Sequence, residues 1–211
     1  MPETARPDVP AAWQRVPLVA IVRGSSPDHV GAVCDAIMAG GIECIEVTLN
    51  TPGALDVLAA RSAGPGLWGA GTVLTADQVD EVADAGGTFC VTPVVDEAVG
   101  AACRRRGLAW YPGAATPTEI HHAWTLGAAA VKVFPAASLG GPQYLREVLA
   151  PLDEIRLVPT GGVDAASAAE YLAAGAVAVG LGGSLIGDAL RSGDLAGLSA
   201  RVSAAVLAVR R

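Results

Sequence analysis

Residues 155–184 read IRLVPTGGVDAASAAEYLAAGAVAVGLGGS and contain one complete repeat of the pattern that decides the fold. A β-rich run, Ile155–Pro159, precedes a glycine pair, and an alanine-rich stretch of helical period follows Asp164, an N-cap residue type. The stretch ends at Gly175, a typical helix stop, and a second β-rich run, Val177–Leu181, leads into further glycines. This order of elements predicts a βαβ unit with parallel strands.

The same alternation extends through the chain. The intervals between strands average about 23 residues, which is near the minimum for one strand, one helix and two short loops. Eight such units predict an α/β fold, a (β/α)8 TIM barrel, with an open doubly wound sheet as the alternative. We expect one domain over residues 1–211, with a short lead-in over about 1–15. The predicted strands are Pro17–Val22, Cys44–Leu49, Leu67–Val73, Phe89–Thr92, Leu108–Tyr111, Ala129–Phe134, Ile155–Pro159 and Val177–Leu181.

Helix starts are marked by hydroxyl residues followed by proline. Ser26-Pro27 and Thr51-Pro52 each predict an N-cap with proline at the first helical position. In Thr116-Pro117-Thr118-Glu119, the glutamate three residues after Thr116 predicts a capping box as well.

Composition excludes several classes of protein. The chain is 52% hydrophobic and 17% charged, unlike a disordered chain, and its net charge of −7 leaves no basic stripe for nucleic acid. No apolar stretch is long enough to span a membrane, and the first 15 residues lack the apolar segment of a secretory signal, so we expect a cytoplasmic protein. The histidines lack zinc-ligand spacing, so we expect no metal site. The cysteines, far apart in apolar surroundings, are expected to be reduced and buried: Cys34, Cys44, Cys90 and Cys103.

Lys132 is the only lysine among 14 basic residues, and it stands in the apolar run AAAVKVF. Strand alternation places it on one face with Ala130 and Phe134. An arginine would serve a structural ion pair at least as well, but it cannot form an imine. A desolvated lysine can attack a carbonyl, so Lys132 is a Schiff-base candidate.

Glu46 stands in the second predicted strand, CIEVTL, on one face with Cys44 and Thr48. If both faces point into the barrel, Glu46 is the acid/base partner of Lys132. The alternative is a structural ion pair that plugs the barrel.

Glycine-rich loops follow the last two predicted strands, at Thr160-Gly161-Gly162 and at Gly180–Ser184. In barrels these two loops usually form a phosphate site, because backbone N–H groups approach an anion closely where side chains are absent. Ordinary glycine turns are the alternative.

Two further strand ends carry polar groups. Gly69-Ala70-Gly71-Thr72 starts like a dinucleotide fingerprint, but its sixth position is Leu74 and no suitable acid ends the next strand, which argues against NAD. Thr72 remains a hydroxyl donor. Arg23, after the first strand, could bind a carboxylate in bidentate fashion or form a salt bridge at the rim.

Taken together, these segments resemble the 2-dehydro-3-deoxy-phosphogluconate/4-hydroxy-2-oxoglutarate aldolases, class I pyruvate aldolases with a (β/α)8 fold. The likeness runs in order from about Leu18 to Leu190. Its segments are Arg23-Gly24, Glu46–Leu49, Gly69–Leu74, Thr92-Pro93, Tyr111–Gly113, Lys132–Ala136, Pro159–Gly162 and Gly180–Ser184.

The resemblance implies a role for each matched residue. Lys132 would form the imine and Glu46 would be the general acid/base. Thr72 would contact the pyruvyl carboxylate, Pro93 and Phe134 would line the pyruvyl pocket, and Thr160 would lie near C4 of the substrate. The phosphate would bind at Gly161, Gly162, Gly182, Gly183 and Ser184. The resemblance also implies a homotrimer that uses no metal and no cofactor.

Asn50 is a departure from part of the family. Gluconate-type members often carry arginine there, whereas the phosphogalactonate aldolases combine asparagine with Arg–Gly after strand one, as in Arg23-Gly24. The segment Gly141–Tyr144 also matches the galactonate branch, while Thr48 and Thr160 follow the gluconate branch. The expected substrate is therefore 2-dehydro-3-deoxy-6-phosphogluconate, with the galactonate epimer and 4-hydroxy-2-oxoglutarate as alternatives and a non-aldolase phosphate-binding barrel as the rival reading.

Overall fold

The computed structural model describes residues 6–210, so the first five residues of the predicted lead-in lie outside the described part. The described strands are β1 Leu18–Val22, β2 Cys44–Thr48, β3 Leu67–Gly71, β4 Phe89–Val91, β5 Ala109–Tyr111, β6 Gly113–Ala114, β7 Val131–Val133, β8 Leu157–Pro159 and β9 Val179–Leu181. Each predicted strand is present with slightly shorter bounds. The fifth corresponds to β5, and the short strand β6, which follows it across Pro112, was not predicted; Pro112 has no N–H to donate.

Helices alternate with these strands. They are α1 Ala11–Arg15, α2 Val30–Ala39, α3 Ala54–Arg61, α4 Ala76–Asp84, α5 Glu97–Arg106, α6 Pro117–Thr125, α7 Gly141–Leu149, α8 Ala165–Ala173, α9 Gly183–Ile186, α10 Ala189–Ser192 and α11 Leu195–Val209. Among residues 6–210, no helix is both long and apolar enough to cross a membrane.

The strands form a curled, parallel α/β sheet. Six strands pair in the order β5-β4-β3-β2-β1-β9, and three pair in the order β6-β7-β8. The first strand thus lies between the second and the last, an order that the alternative doubly wound sheet does not have. The two sheets also meet through backbone bonds. The Ala129 N–H donates to the Trp110 carbonyl (2.9 Å), and the Val177 N–H donates to the Leu157 carbonyl (3.0 Å).

Apolar side chains occupy both faces of this sheet. The larger cluster lies between strands and helices and includes Leu18, Ile45, Val131 and Leu198. A smaller cluster on the inner face includes Cys44 and Ala130, which the alternation placed with Glu46 and Lys132. All four cysteines are free and buried, as predicted.

Two of the three predicted Pro-marked helix starts are wrong. α6 begins as expected, with Thr116 and Glu119 forming a capping box. α2 instead begins at Val30 and α3 at Ala54. Their hydroxyl residues make other contacts: Ser26 bonds Asp28, and Thr51 accepts the N–H of Gly24. The one correct start is also the one with a glutamate three residues after the cap, whereas a hydroxyl residue followed by proline was not sufficient by itself.

Candidate active site

A cavity of about 950 Å³ opens at the ends of the strands, a size suited to a small-molecule substrate. It brings together Arg23, Lys132, Phe134 and Thr160 with both glycine loops. Thr72 and Pro93 do not line it. Thr72 contacts a residue of the cavity wall, since the Arg23 guanidinium donates to the Thr72 hydroxyl at 3.4 Å. The cavity also includes His29, Asp188 and Arg191, which no sequence motif indicated.

Lys132 lies in the middle of β7 and is 7% exposed. Its backbone N–H donates to the Pro112 carbonyl at 2.8 Å, between β5 and β6. Its ammonium nitrogen is 5.2 Å from the centre of the Phe134 ring. Within residues 6–210, no carboxylate lies within 4 Å of this nitrogen, so Lys132 and Glu46 do not form the contact ion pair of the structural alternative.

Glu46 lies in the middle of β2 and is 2% exposed. Its Oε1 is buried without a hydrogen-bond partner among the described residues. Burial raises the pKa of this carboxyl, and the positive charges of Lys132 and Arg23 oppose the increase. A carboxyl whose pKa is raised toward neutrality can both accept and return a proton.

A smaller, almost wholly apolar cavity of about 20 Å³ lies against the same pair of residues. It is lined by Glu46, Lys132 and three aromatic rings, those of Trp13, Phe89 and Tyr111. The Trp13 and Tyr111 rings are tilted against each other with 5.4 Å between their centres, and Phe89 meets Tyr111 edge to face at 5.6 Å. Trp13, in α1, therefore brings the lead-in into the apolar cluster on the inner face of the sheet, a role that the sequence did not indicate.

Glycine provides the space in which Glu46 lies. A Cβ added at Gly71 would be 1.7 Å from Glu46 Oε1 and 2.5 Å from its Cδ. The next residue, Thr72, has a φ of 58°, which is uncommon for a residue with a side chain. In the segment GAGT, Gly71 thus leaves space for the Glu46 carboxylate, and the chain bends at Thr72.

The two predicted phosphate loops lie together at the cavity wall. Gly161 and Gly162 both have positive φ, of 90° and 72°, a conformation that favours glycine. The Ser184 hydroxyl donates to the Val163 carbonyl at 2.6 Å, which joins the second loop to the first. Among residues 6–210, the His, Cys, Asp and Glu side chains form no group of three or more that could hold a metal.

Comparisons with known proteins agree on one family. The family model described as "Aldolase: KDPG and KHG aldolase" matches residues 9–200. A probable 2-dehydro-3-deoxy-6-phosphogalactonate aldolase of Rhizobium meliloti is 37% identical over 191 residues, 89% of this chain and 90% of that protein. A 2-dehydro-3-deoxy-phosphogluconate aldolase of Treponema pallidum is 37% identical over 164 residues, 77% of this chain and 78% of that protein.

A solved structure adds a chemical observation about a relative. The KDPG aldolase of Legionella pneumophila, crystallised with pyruvate captured as a covalent carbinolamine intermediate, superposes with a TM-score of 0.82 at 27% identity. The match covers 93% of this chain and 97% of that one.

Proposed function

The chain belongs to the KDPG and KHG aldolase family, and on that premise we propose that Lys132 is its Schiff-base nucleophile and Glu46 its general acid/base. The protein is an aldolase, and therefore a lyase. The observation that supports the residue assignment is the position of the chain's one lysine, buried against the same small cavity as Glu46, whose buried Oε1 has no hydrogen-bond partner among the described residues. An amine at this position can attack the carbonyl of a bound keto acid, which an arginine could not do.

The reaction would proceed through an imine. The Lys132 amine attacks the C2 ketone of a 2-dehydro-3-deoxy-6-phospho sugar acid, and loss of water leaves an iminium. Glu46 removes the C4 hydroxyl proton through a water molecule, the C3–C4 bond breaks, and its electrons pass into the iminium as an enamine. Glyceraldehyde 3-phosphate leaves, Glu46 returns a proton to C3, and hydrolysis releases pyruvate.

The remaining residues are assigned to binding different parts of the substrate. Arg23 and Thr72 would bind the pyruvyl carboxylate, with Phe134 and Pro93 beside the pyruvyl group and Thr160 near C4. Phosphate would bind at Gly161, Gly162, Gly182, Gly183 and Ser184. Thr72 and Pro93 do not line the cavity, and Thr72 is connected to it through the Arg23 guanidinium.

The preferred substrate is proposed to be the gluconate epimer, with the galactonate epimer as the second candidate. Thr48 and Thr160 favour the first, whereas Asn50 and Arg23-Gly24 favour the second, and the two relatives described above bear one name each. Assays of both epimers under identical conditions decide between them. A kcat/KM at least about tenfold higher for the galactonate would overturn the preference, since that corresponds to about 1.4 kcal/mol of transition-state binding.

We also propose the larger-scale properties that the resemblance implies. The curled sheet would close as a complete (β/α)8 barrel of one domain over residues 1–211. The protein would act in the cytoplasm as a homotrimer on a small phosphorylated keto acid, without a metal or cofactor.

The test of the assignment is incubation with pyruvate and borohydride, followed by mass spectrometry. We expect one reduced adduct per chain, on the peptide that contains Lys132. Lys132→Arg keeps the positive charge but cannot form an imine, so it should fold and show neither adduct nor measurable aldol cleavage. A folded Lys132→Arg variant with wild-type activity would refute the Schiff-base role.

A further inference from the structure

Arg23 is held at the cavity wall by few side-chain contacts. Its side chain is exposed, and the one hydrogen bond of its guanidinium among residues 6–210 is a long one, of 3.4 Å, to the Thr72 hydroxyl. Within the described residues, no carboxylate lies within ion-pair distance of it. The position of the guanidinium therefore depends mainly on the backbone conformation on either side of Arg23.

Two threonines hold that backbone. The Gly24 N–H donates to the Thr51 hydroxyl oxygen at 3.1 Å, and the Thr51 and Thr48 hydroxyl oxygens lie 3.0 Å apart. The Thr48 hydroxyl donates to the Val22 carbonyl at 3.4 Å. These contacts join the residue before Arg23 to the residue after it.

The hydroxyl protons of this network have one consistent arrangement. A backbone N–H can only donate and a carbonyl can only accept, so the bonds run in order from Gly24 through Thr51 and Thr48 to Val22. Both hydroxyl groups are buried, with Thr48 0% and Thr51 2% exposed, so water does not compete for these bonds. Loss of either hydroxyl would leave a polar group of the network without its partner.

We propose that Thr48 and Thr51 are positioning residues that fix the backbone around Arg23 and so set the affinity for the substrate carboxylate. This rests on the carboxylate-binding role proposed for Arg23. Neither threonine lines the cavity, and they act only through Arg23. The network also accounts for the failure of Thr51-Pro52 as a helix start, because the Thr51 hydroxyl is already engaged with Gly24.

Thr51→Val tests the proposal, since valine matches the shape of threonine but cannot accept the Gly24 N–H. The pyruvate concentration that gives half-maximal borohydride trapping should rise about tenfold, as should KM, with kcat changed less than about twofold. Thr51→Ser retains the hydroxyl and should stay within about twofold of wild type. Thr48→Val removes the other hydroxyl of the network and should reproduce the effect, which keeps the test available if Thr51→Val does not fold.

A matched control distinguishes positioning from general loosening of the sheet. The Thr88 hydroxyl donates to the Trp68 carbonyl of a neighbouring strand at 3.1 Å, at the opposite end of the strands. Thr88 is exposed, unlike Thr51, but Thr88→Val likewise removes a hydroxyl bond to the backbone and should leave the half-maximal pyruvate concentration unchanged. An equal increase in the control would overturn the proposal.

Combination with Arg23→Ala completes the test. If Thr51 acts through Arg23, Thr51→Val should add less than a twofold increase in the Arg23→Ala background. A full tenfold increase there, or none in the otherwise wild-type chain, would refute the positioning role. Failure of the wild-type protein to form any pyruvate adduct would refute the proposed function instead, so the two failures are distinguishable.

Discussion

At the scale of single residues, the burial of Glu46, the proposed acid/base group, has a cost to folding. Burial raises its pKa above the ordinary value of 4.5, so the folded chain holds this proton more tightly than the unfolded chain. Folding stability therefore falls as pH rises from 4.5 through the raised pKa of the folded state. Glutamine never ionises and avoids this loss.

Glu46→Gln should accordingly be more stable than wild type at neutral pH, with a smaller difference near pH 4. Its rate of aldol cleavage should fall by about 10²-fold, the usual scale for a lost acid/base group. Urea unfolding at both pH values and steady-state kinetics measure the two effects. A wild-type rate would remove Glu46 from the mechanism, and a stability difference independent of pH would contradict its raised pKa.

Gly71 offers a second residue-scale prediction. Its φ lies outside the left-handed region, so alanine fits the backbone, but the added methyl group would overlap the Glu46 carboxylate. Gly71→Ala should lower the rate of cleavage by about as much as Glu46→Gln, about 10²-fold, and destabilise the fold by about 1–3 kcal/mol through overpacking. Lys132 should still form its pyruvate adduct.

The Glu46→Gln background provides the control for this prediction. With the acid/base group already absent, Gly71→Ala should cause little further loss of rate. A further large loss there would mean that the methyl group damages the site by another route. Wild-type activity of the single variant would show that the carboxylate tolerates displacement.

At the scale of elements, the two glycine loops act together. The Ser184 hydroxyl joins them through the Val163 carbonyl, and both loops line the cavity. Ser184→Asp would place a negative charge where the proposed phosphate lies. We expect a higher KM for the phosphorylated substrate, by about tenfold or more, and much less effect on cleavage of 4-hydroxy-2-oxoglutarate, which has no phosphate. Equal losses on both substrates would indicate damage to the barrel rather than loss of a phosphate contact.

At the scale of the whole molecule, the described surface carries exposed apolar side chains on adjacent loops. Leu74 and Val94 are 50% and 53% exposed and follow the neighbouring strands β3 and β4. The resemblance implies a homotrimer. Sedimentation at micromolar concentration should give about three times the 21.1 kDa of one chain. The mass of a single chain would contradict the expected assembly.

The sequence by itself determined the order of strands and helices and the residues most suited to the chemistry. Alternation along single strands is a local property, so the neighbours alone indicated that Glu46 shares a face with Cys44 and Lys132 with Ala130. The structure then showed that both faces point inward. The isolation of one lysine in an apolar run was likewise visible without a structure. The glycine loops were recognisable because their position after the last two strands carries meaning in a barrel.

Only the tertiary structure decided which polar groups meet. The hydrogen-bonded series from Gly24 through Thr51 and Thr48 to Val22 joins residues 29 positions apart at most, across two strands, and no local pattern indicates that Thr51 bonds to Gly24. The space for the Glu46 carboxylate beside Gly71 depends on the pairing of β2 with β3. These features arise from distances between segments, and those distances exist only once the sheet has curled and brought the segments into contact.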